Sequence, residues 1–223
     1  MTTHVGRDKR RGRAWVWWAL AGAALAITFG SVVGTWPTTE PGTVVLAKAH
    51  PVRTTISSAT LKSLRRSLPV RLVIPSIHVS TSVGIVGLQP NHQVQVPQSI
   101  RTVSWYRYGP TPGQVGSSVV LGHVDSRTRP GVFFELKTLQ VGATITVTLA
   151  DRVVTHFVVR RVVEYSKTSF PDRLIYGSHG TRSLNLITCG GVFDHTTGHY
   201  ESNIVVFTQL VGVTAPKKPG STP

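Results

Sequence analysis

Cysteine occurs once in this chain of 223 residues, at position 189. No internal disulfide can form, so core packing must stabilise the fold. Acidic residues are also scarce, 9 Asp and Glu against 24 Lys and Arg, which leaves a formal net charge of +15. Such a surplus raises nucleic acid as a partner. Much of it, however, lies at the extreme N-terminus, before Pro69 and at Lys217-Lys218. No stretch reads as a base-edge reader, so nucleic acid is not expected as a partner. The folded part is basic as well, which suits contact with an anionic envelope. The length allows one domain of ordinary size with a full hydrophobic core.

Residues 1–13 carry Arg7, Lys9, Arg10, Arg11 and Arg13 with a single acid, Asp8, and residues 14–36 carry no charge at all. At ~1.5 Å rise per residue, the uncharged run can cross a hydrocarbon core ~30 Å thick. Its basic flank predicts a cytoplasmic N-terminal tail, and Trp15, Trp17, Trp18 and Trp36 stand near the two ends, where indoles favour the interface. A cleaved signal peptide would have a shorter apolar run and a closing small-x-small site. The expectation is therefore an uncleaved single-pass anchor that puts the rest of the chain outside the plasma membrane. Residues 37–68, rich in Thr, Ser, Pro and Ala, read as a linker. Within it Leu61, Leu64 and Leu68, with Lys62, Arg65 and Arg66 between them, have the spacing of a short amphipathic helix. Residues 214–223 read as a disordered polar tail.

From Pro69 to residue 213 the pattern changes to short apolar runs broken by Gly and Pro. Strands are expected at 70–74, 78–86, 118–122, 143–150, 153–163, 184–188 and 203–211, with Asp151-Arg152 as a hairpin turn. A loop is expected to begin at Trp105, a helical turn at 132–136 and another loop over 167–180. About eight short strands with only brief helices argue a mostly β closed barrel or sandwich.

The chemistry centres on Leu184-Asn185-Leu186-Ile187-Thr188-Cys189-Gly190-Gly191. This reads as a strand ending at a nucleophile, with a flexible turn beyond. A thiol that attacks a carbonyl needs a thiolate and a proton donor for the leaving amine. His123, after the apolar run 118–122, is the candidate donor. Each has a plainer reading: free cysteines commonly pack as small hydrophobes, and histidines commonly bond to local backbone. Asp125 and Asp194 read as local caps or turn formers, and His156 as cross-strand packing. Cys189 with His195 and His199 would lack a fourth zinc ligand, so neither metal nor cofactor is expected.

Four segments in order, Leu121-Gly122-His123-Val124-Asp125-Ser126, Gly131-Val132-Phe133-Phe134-Glu135-Leu136, Leu139-Gln140-Val141-Gly142 and Leu186-Ile187-Thr188-Cys189-Gly190-Gly191, resemble the sortase family over about 69–213. Trp105-Tyr106 with Gly109-Pro110-x-Pro112-Gly113, Lys167-x-x-Phe170-Pro171, Thr188-Cys189-Gly190-Gly191-x-Phe193-Asp194 and Tyr200-x-x-Asn203 are similar to its actinobacterial class F, with class E next. The resemblance implies an eight-stranded β-barrel with short helices and a cysteine transpeptidase. Cys189 would attack an LPXTG-like sorting signal of a secreted protein to give a thioacyl-enzyme. An amine of a peptidoglycan precursor or a pilin would then resolve it. His123 would act as general acid and base, and Thr188 would help position substrate.

The family also uses an arginine shortly before the last strand, and here no arginine follows Arg182. Asn203 stands in the equivalent stretch as a neutral donor, and Asn185 stands where class F members often carry arginine. Arg127, Arg129 or Arg173 could reach in from loops. The departure leaves a second expectation, a sortase-like domain without turnover that binds peptide or anionic envelope polymer.

Overall fold

The computed structural model describes residues 64–216. The expected cytoplasmic tail 1–13, the anchor 14–36 and most of the linker lie outside the described residues, as do 217–223 of the tail. No helix among the described residues is long and apolar enough to cross a membrane.

Eight strands close into a barrel: β1 (Pro69–Ile74), β2 (Val79–Val86), β3 (Val103–Tyr106), β4 (Gly116–Leu121), β5 (Thr144–Leu149), β6 (Val154–Ser166), β7 (Arg182–Asp194) and β8 (His199–Thr214). Their order around the barrel is β1-β2-β3-β4-β7-β8-β6-β5, with β5 returning to β1. The β2–β3 and β4–β7 pairs are parallel and the others antiparallel. Closure leaves no free sheet edge. The barrel fits the mostly β expectation, because alternation is strict where strands are half-buried. Ile145, Val147 and Leu149 of β5 enter the core while the threonines between them face out.

The interior is filled by Leu72, Ile74, Trp105, Val120, Phe133, Ile145, Phe157, Leu184, Leu186 and Val206. A second apolar cluster lies on the other face of β4, β7 and β8, where Val119, Ile187 and Val205 pack under Ile175 of the short helix α1 (Asp172–Tyr176). This outer cluster is the support on which the cysteine end of β7 rests.

Several elements differ from their sequence expectations. Leu64–Leu68 is not helical. Instead Arg66 donates to the carbonyls of Arg107 and Gly109, and its guanidinium lies 5.1 Å above the Trp105 ring. Those contacts hold the segment against the barrel in place of an amphipathic helix. Trp105-Tyr106 is the end of strand β3 and not the start of a loop. The expected loop over 167–180 holds a 3-10 turn (Lys167–Ser169) as well as α1.

The largest difference is at the Gly-Gly pair. β7 does not end at Cys189 but runs on to Asp194, and the segment 193–203 is a hairpin into β8 instead of a loop. Gly190 and Gly191 make an irregularity in that ladder, with Gly191 at φ +77°. A Cβ on Gly190 would stand 2.6 Å from Ile204 Cγ1, and one on Gly191 2.8 Å from both Glu164 Oε1 and Ser202 Cβ. The glycines thus permit close packing of β7 on β8. Gly190→Ala is expected to lower stability by about 1–3 kcal/mol, read as a lower denaturation midpoint. With Ile204→Ala added, the pair is expected to cost less than the sum of the two single changes. Strict additivity would show that this close approach is not what requires glycine.

Candidate active site

The β4–β7 ladder pairs Leu121 with Ile187 in parallel register. Two residues further along each chain stand His123 and Cys189. The Gly122 N–H donates to the Ile187 carbonyl at 3.1 Å, so the pairing extends toward both residues. On its other flank Cys189 is the register partner of Asn203. Neighbouring strands lie about 4.8 Å apart, so backbone pairing alone sets the sequence His123, Cys189, Asn203 across three strands. All three line one cavity of about 490 Å³, with Leu121, Ile187, Phe170 and Tyr176 among its apolar walls and residues 92–97 along one side.

Local packing explains the glycines that frame His123. A Cβ on Gly122 would stand 2.6 Å from the Phe133 ring, and one on Gly131 would collide with the His123 carbonyl. That carbonyl accepts the Phe133 N–H at 2.9 Å, and Val124 accepts from Gly131 at 2.8 Å. The loop after His123 therefore folds tightly back on itself, and Phe133 anchors it in the core. The His123 Nε2 lies 2.6 Å from the Pro97 carbonyl oxygen. A carbonyl only accepts, so Nε2 carries the proton and Nδ1 is left to exchange one.

Cys189 is partly exposed, which leaves the thiol accessible. Asn203 is half-buried, and its amide makes no hydrogen bond among the described residues, which leaves it free to donate into the cavity. Thr188 also contributes to the wall, but its side chain is differently placed from Cys189. Strand alternation sends it to the side of Leu186, and its hydroxyl is buried without a hydrogen-bond partner.

None of Arg127, Arg129 and Arg173 lines the cavity, and all three are exposed. Arg182 instead donates to the Gly113 carbonyl at 2.6 Å. Asn185 is buried and donates to the Ile175 carbonyl at 2.7 Å, so it secures α1 over the outer cluster. Among the described residues lining the cavity the strong base is Lys167, and Asp172 and His92 line it as well. The sequence marked Lys167 only as part of a motif, and His92 only as part of a turn. Tyr176, also on the cavity wall, has its pKa raised by burial first and then by Asp172 and Tyr106, so it remains a neutral phenol.

Asp194 is a turn former: it accepts from the Thr196 N–H and the Thr197 hydroxyl, which hold its carboxyl below the ordinary value. His195 meets the Phe193 ring edge-on at 5.1 Å, and His156 pairs with the Thr214 hydroxyl at 2.9 Å. Asp125 does not make the local cap expected of it. Its carboxylate accepts from the Tyr200 hydroxyl, which belongs to β8.

A family model described as the sortase domain matches residues 72–211. Among solved structures, sortase C-1 from Actinomyces oris superposes with a TM-score of 0.51 at 20% identity, covering 67% of this chain and 76% of its own. Sortase A from Listeria monocytogenes does so with 0.51 at 15% identity, covering 69% and 93%. Sortase C-3 from Streptococcus pneumoniae gives 0.51 at 19%, covering 70% and 69%. At such identities the structural likeness concerns the fold. No curated protein matches the chain.

Proposed function

This chain belongs to the sortase family of cysteine transpeptidases, and on that premise we propose that Cys189 is the nucleophile of a membrane-anchored, class F-like sortase. Its donor would be a secreted protein carrying an LPXTG-like sorting signal, and its acceptor an amine of a peptidoglycan precursor or a pilin. The observation that carries the reading is the flanking of Cys189 by His123, two residues beyond the end of β4, and by Asn203 on β8 inside one cavity.

The chemistry follows from those positions. The Cys189 thiolate adds to the scissile carbonyl, and the carbonyl oxygen becomes an oxyanion. The Asn203 amide is the neutral donor placed to meet it. Collapse of the adduct breaks the C–N bond as the imidazolium form of His123 delivers its Nδ1 proton to the departing amine, leaving a thioester on Cys189 and a neutral imidazole. The incoming amine adds to the thioester and gives a proton back to His123, and the C–S bond breaks to release the Cys189 thiolate as the new amide forms. The uncharged run 14–36 and its basic flank support an anchor with the barrel on the outer side.

The test is to mix the purified full-length chain with LPXTG-type peptides and a glycine or hydroxylamine acceptor, then measure intact masses. A thioester on Cys189 and a transferred peptide are expected. Intact peptide across several sorting sequences would favour the binding-only reading, which the lack of an arginine among the described residues lining the cavity supports. Asn203→Ala is expected to lower kcat about 10²-fold, the usual cost of one oxyanion donor. An unchanged kcat would remove Asn203 from that role.

A further inference from the structure

His123 begins a loop whose backbone hydrogen bonds run largely within itself: Phe133 to His123, Gly131 to Val124 and Ser126 to Arg129. The loop is tied outward by the Val132 N–H, which donates to the Ile100 carbonyl at 2.7 Å, and by Phe133 in the core, whereas residues 124–129 make no hydrogen bond beyond the loop among the described residues except the one that Asp125 accepts. Asp125, two residues after His123, extends its carboxylate across to Tyr200, 75 residues away in sequence. Tyr200 belongs to the start of β8, three residues before Asn203, and pairs in register with Phe193 beyond the glycine irregularity. Its ring packs edge-on against Phe193 with centroids 5.1 Å apart, so the phenol is fixed by something other than the hydrogen bond. We propose that the Asp125–Tyr200 hydrogen bond is a latch that positions the His123 loop against the β7–β8 hairpin, and so sets His123 relative to Cys189 and Asn203.

The hydroxyl is suited to this work. Its pKa is pushed up to about 12, first by donation to Asp125, then by burial, and then by the charge of Asp125 and by Cys189. It therefore remains a proton donor to Asp125 throughout the ordinary pH range. The hydrogen bond joins a carboxylate to a neutral donor, a type stronger than a neutral pair. The two residues act through His123 and are positioning residues.

The effect on transfer rests on the transpeptidase reading, whereas the latch does not, so two measurements are combined. Tyr200→Phe keeps the ring on Phe193 and removes only the donor. Asp125→Ala removes the acceptor, while Asp125→Asn retains an oxygen that can accept. In the full-length chain, Tyr200→Phe and Asp125→Ala are each expected to lower kcat tenfold or more, with KM within about twofold, since small displacements of reacting groups cost up to ~10²-fold. Asp125→Asn should recover most of the rate, and the double variant should be no slower than either single one. Amide hydrogen exchange over residues 123–131 should quicken in Tyr200→Phe with the melting temperature unchanged. Wild-type exchange in that variant overturns the latch, and so does quickened exchange with wild-type kcat. If the unaltered chain transfers no peptide, the transpeptidase reading fails and the exchange measurement alone decides the latch.

Discussion

Cys189→Ala should bind an LPXTG-type peptide and leave it intact. Transfer to glycine or hydroxylamine is expected to fall by ~10³ or more, because the covalent route disappears along with its nucleophile. No other cysteine exists in the chain to replace it. The fold should be unaffected. Cys189 is partly exposed at the cavity and is not part of either apolar cluster, so losing its sulfur opens no void in the core. A stability change within about 0.5 kcal/mol is expected, as for other substitutions away from buried features. Peptide affinity should also persist, since the walls formed by Leu121, Phe170, Tyr176 and Ile187 are unchanged. Transfer at the wild-type rate by the alanine variant would sink the assignment of Cys189. Absence of transfer in both proteins, with binding retained, would indicate a peptide-binding domain on a sortase fold.

The site was legible in the sequence to the extent that its residues lie on regular strands. Runs of apolar residues before His123 and Cys189 marked β4 and β7, alternation marked β5, and the Asp151-Arg152 turn marked the entry to β6. What put the two side by side was a parallel register between segments 66 residues apart, which a linear pattern does not encode. Gly190-Gly191 misled for a physical reason. Glycine signals a turn as readily as a close approach of two strands, and here Ile204 and Ser202 occupy the space that side chains would need. Asp125 misled similarly, because short carboxylates usually bond to adjacent backbone. Its partner Tyr200 is brought to it only by the β7–β8 hairpin. The cavity base Lys167 could be recognised only once the turn Lys167–Ser169 was seen to bring it to the cavity wall.

In the proposed mechanism, variants of His123 separate proton transfer from simple tethering, because its two ring nitrogens have different surroundings. Nε2 donates to the Pro97 carbonyl and thereby fastens the 92–97 wall, while Nδ1 makes no hydrogen bond among the described residues. His123→Ala loses both functions, and a fall in kcat of ~10²–10⁴ is expected, together with a raised KM as that wall loosens. His123→Gln places an amide N–H where it can still donate to Pro97 but cannot carry a proton. Its KM should stay near the wild-type value while kcat falls as far as in the alanine variant. The leaving group then supplies the decisive comparison. An amide must be protonated as it departs, whereas an activated ester of the same acyl peptide needs little help. Acylation of Cys189 by that ester, read as a mass increase, should be nearly normal in His123→Gln and absent in Cys189→Ala. If the ester were as slow as the amide in His123→Gln, His123 would be acting on the thiol or on cavity shape, and its role as the proton donor would fall.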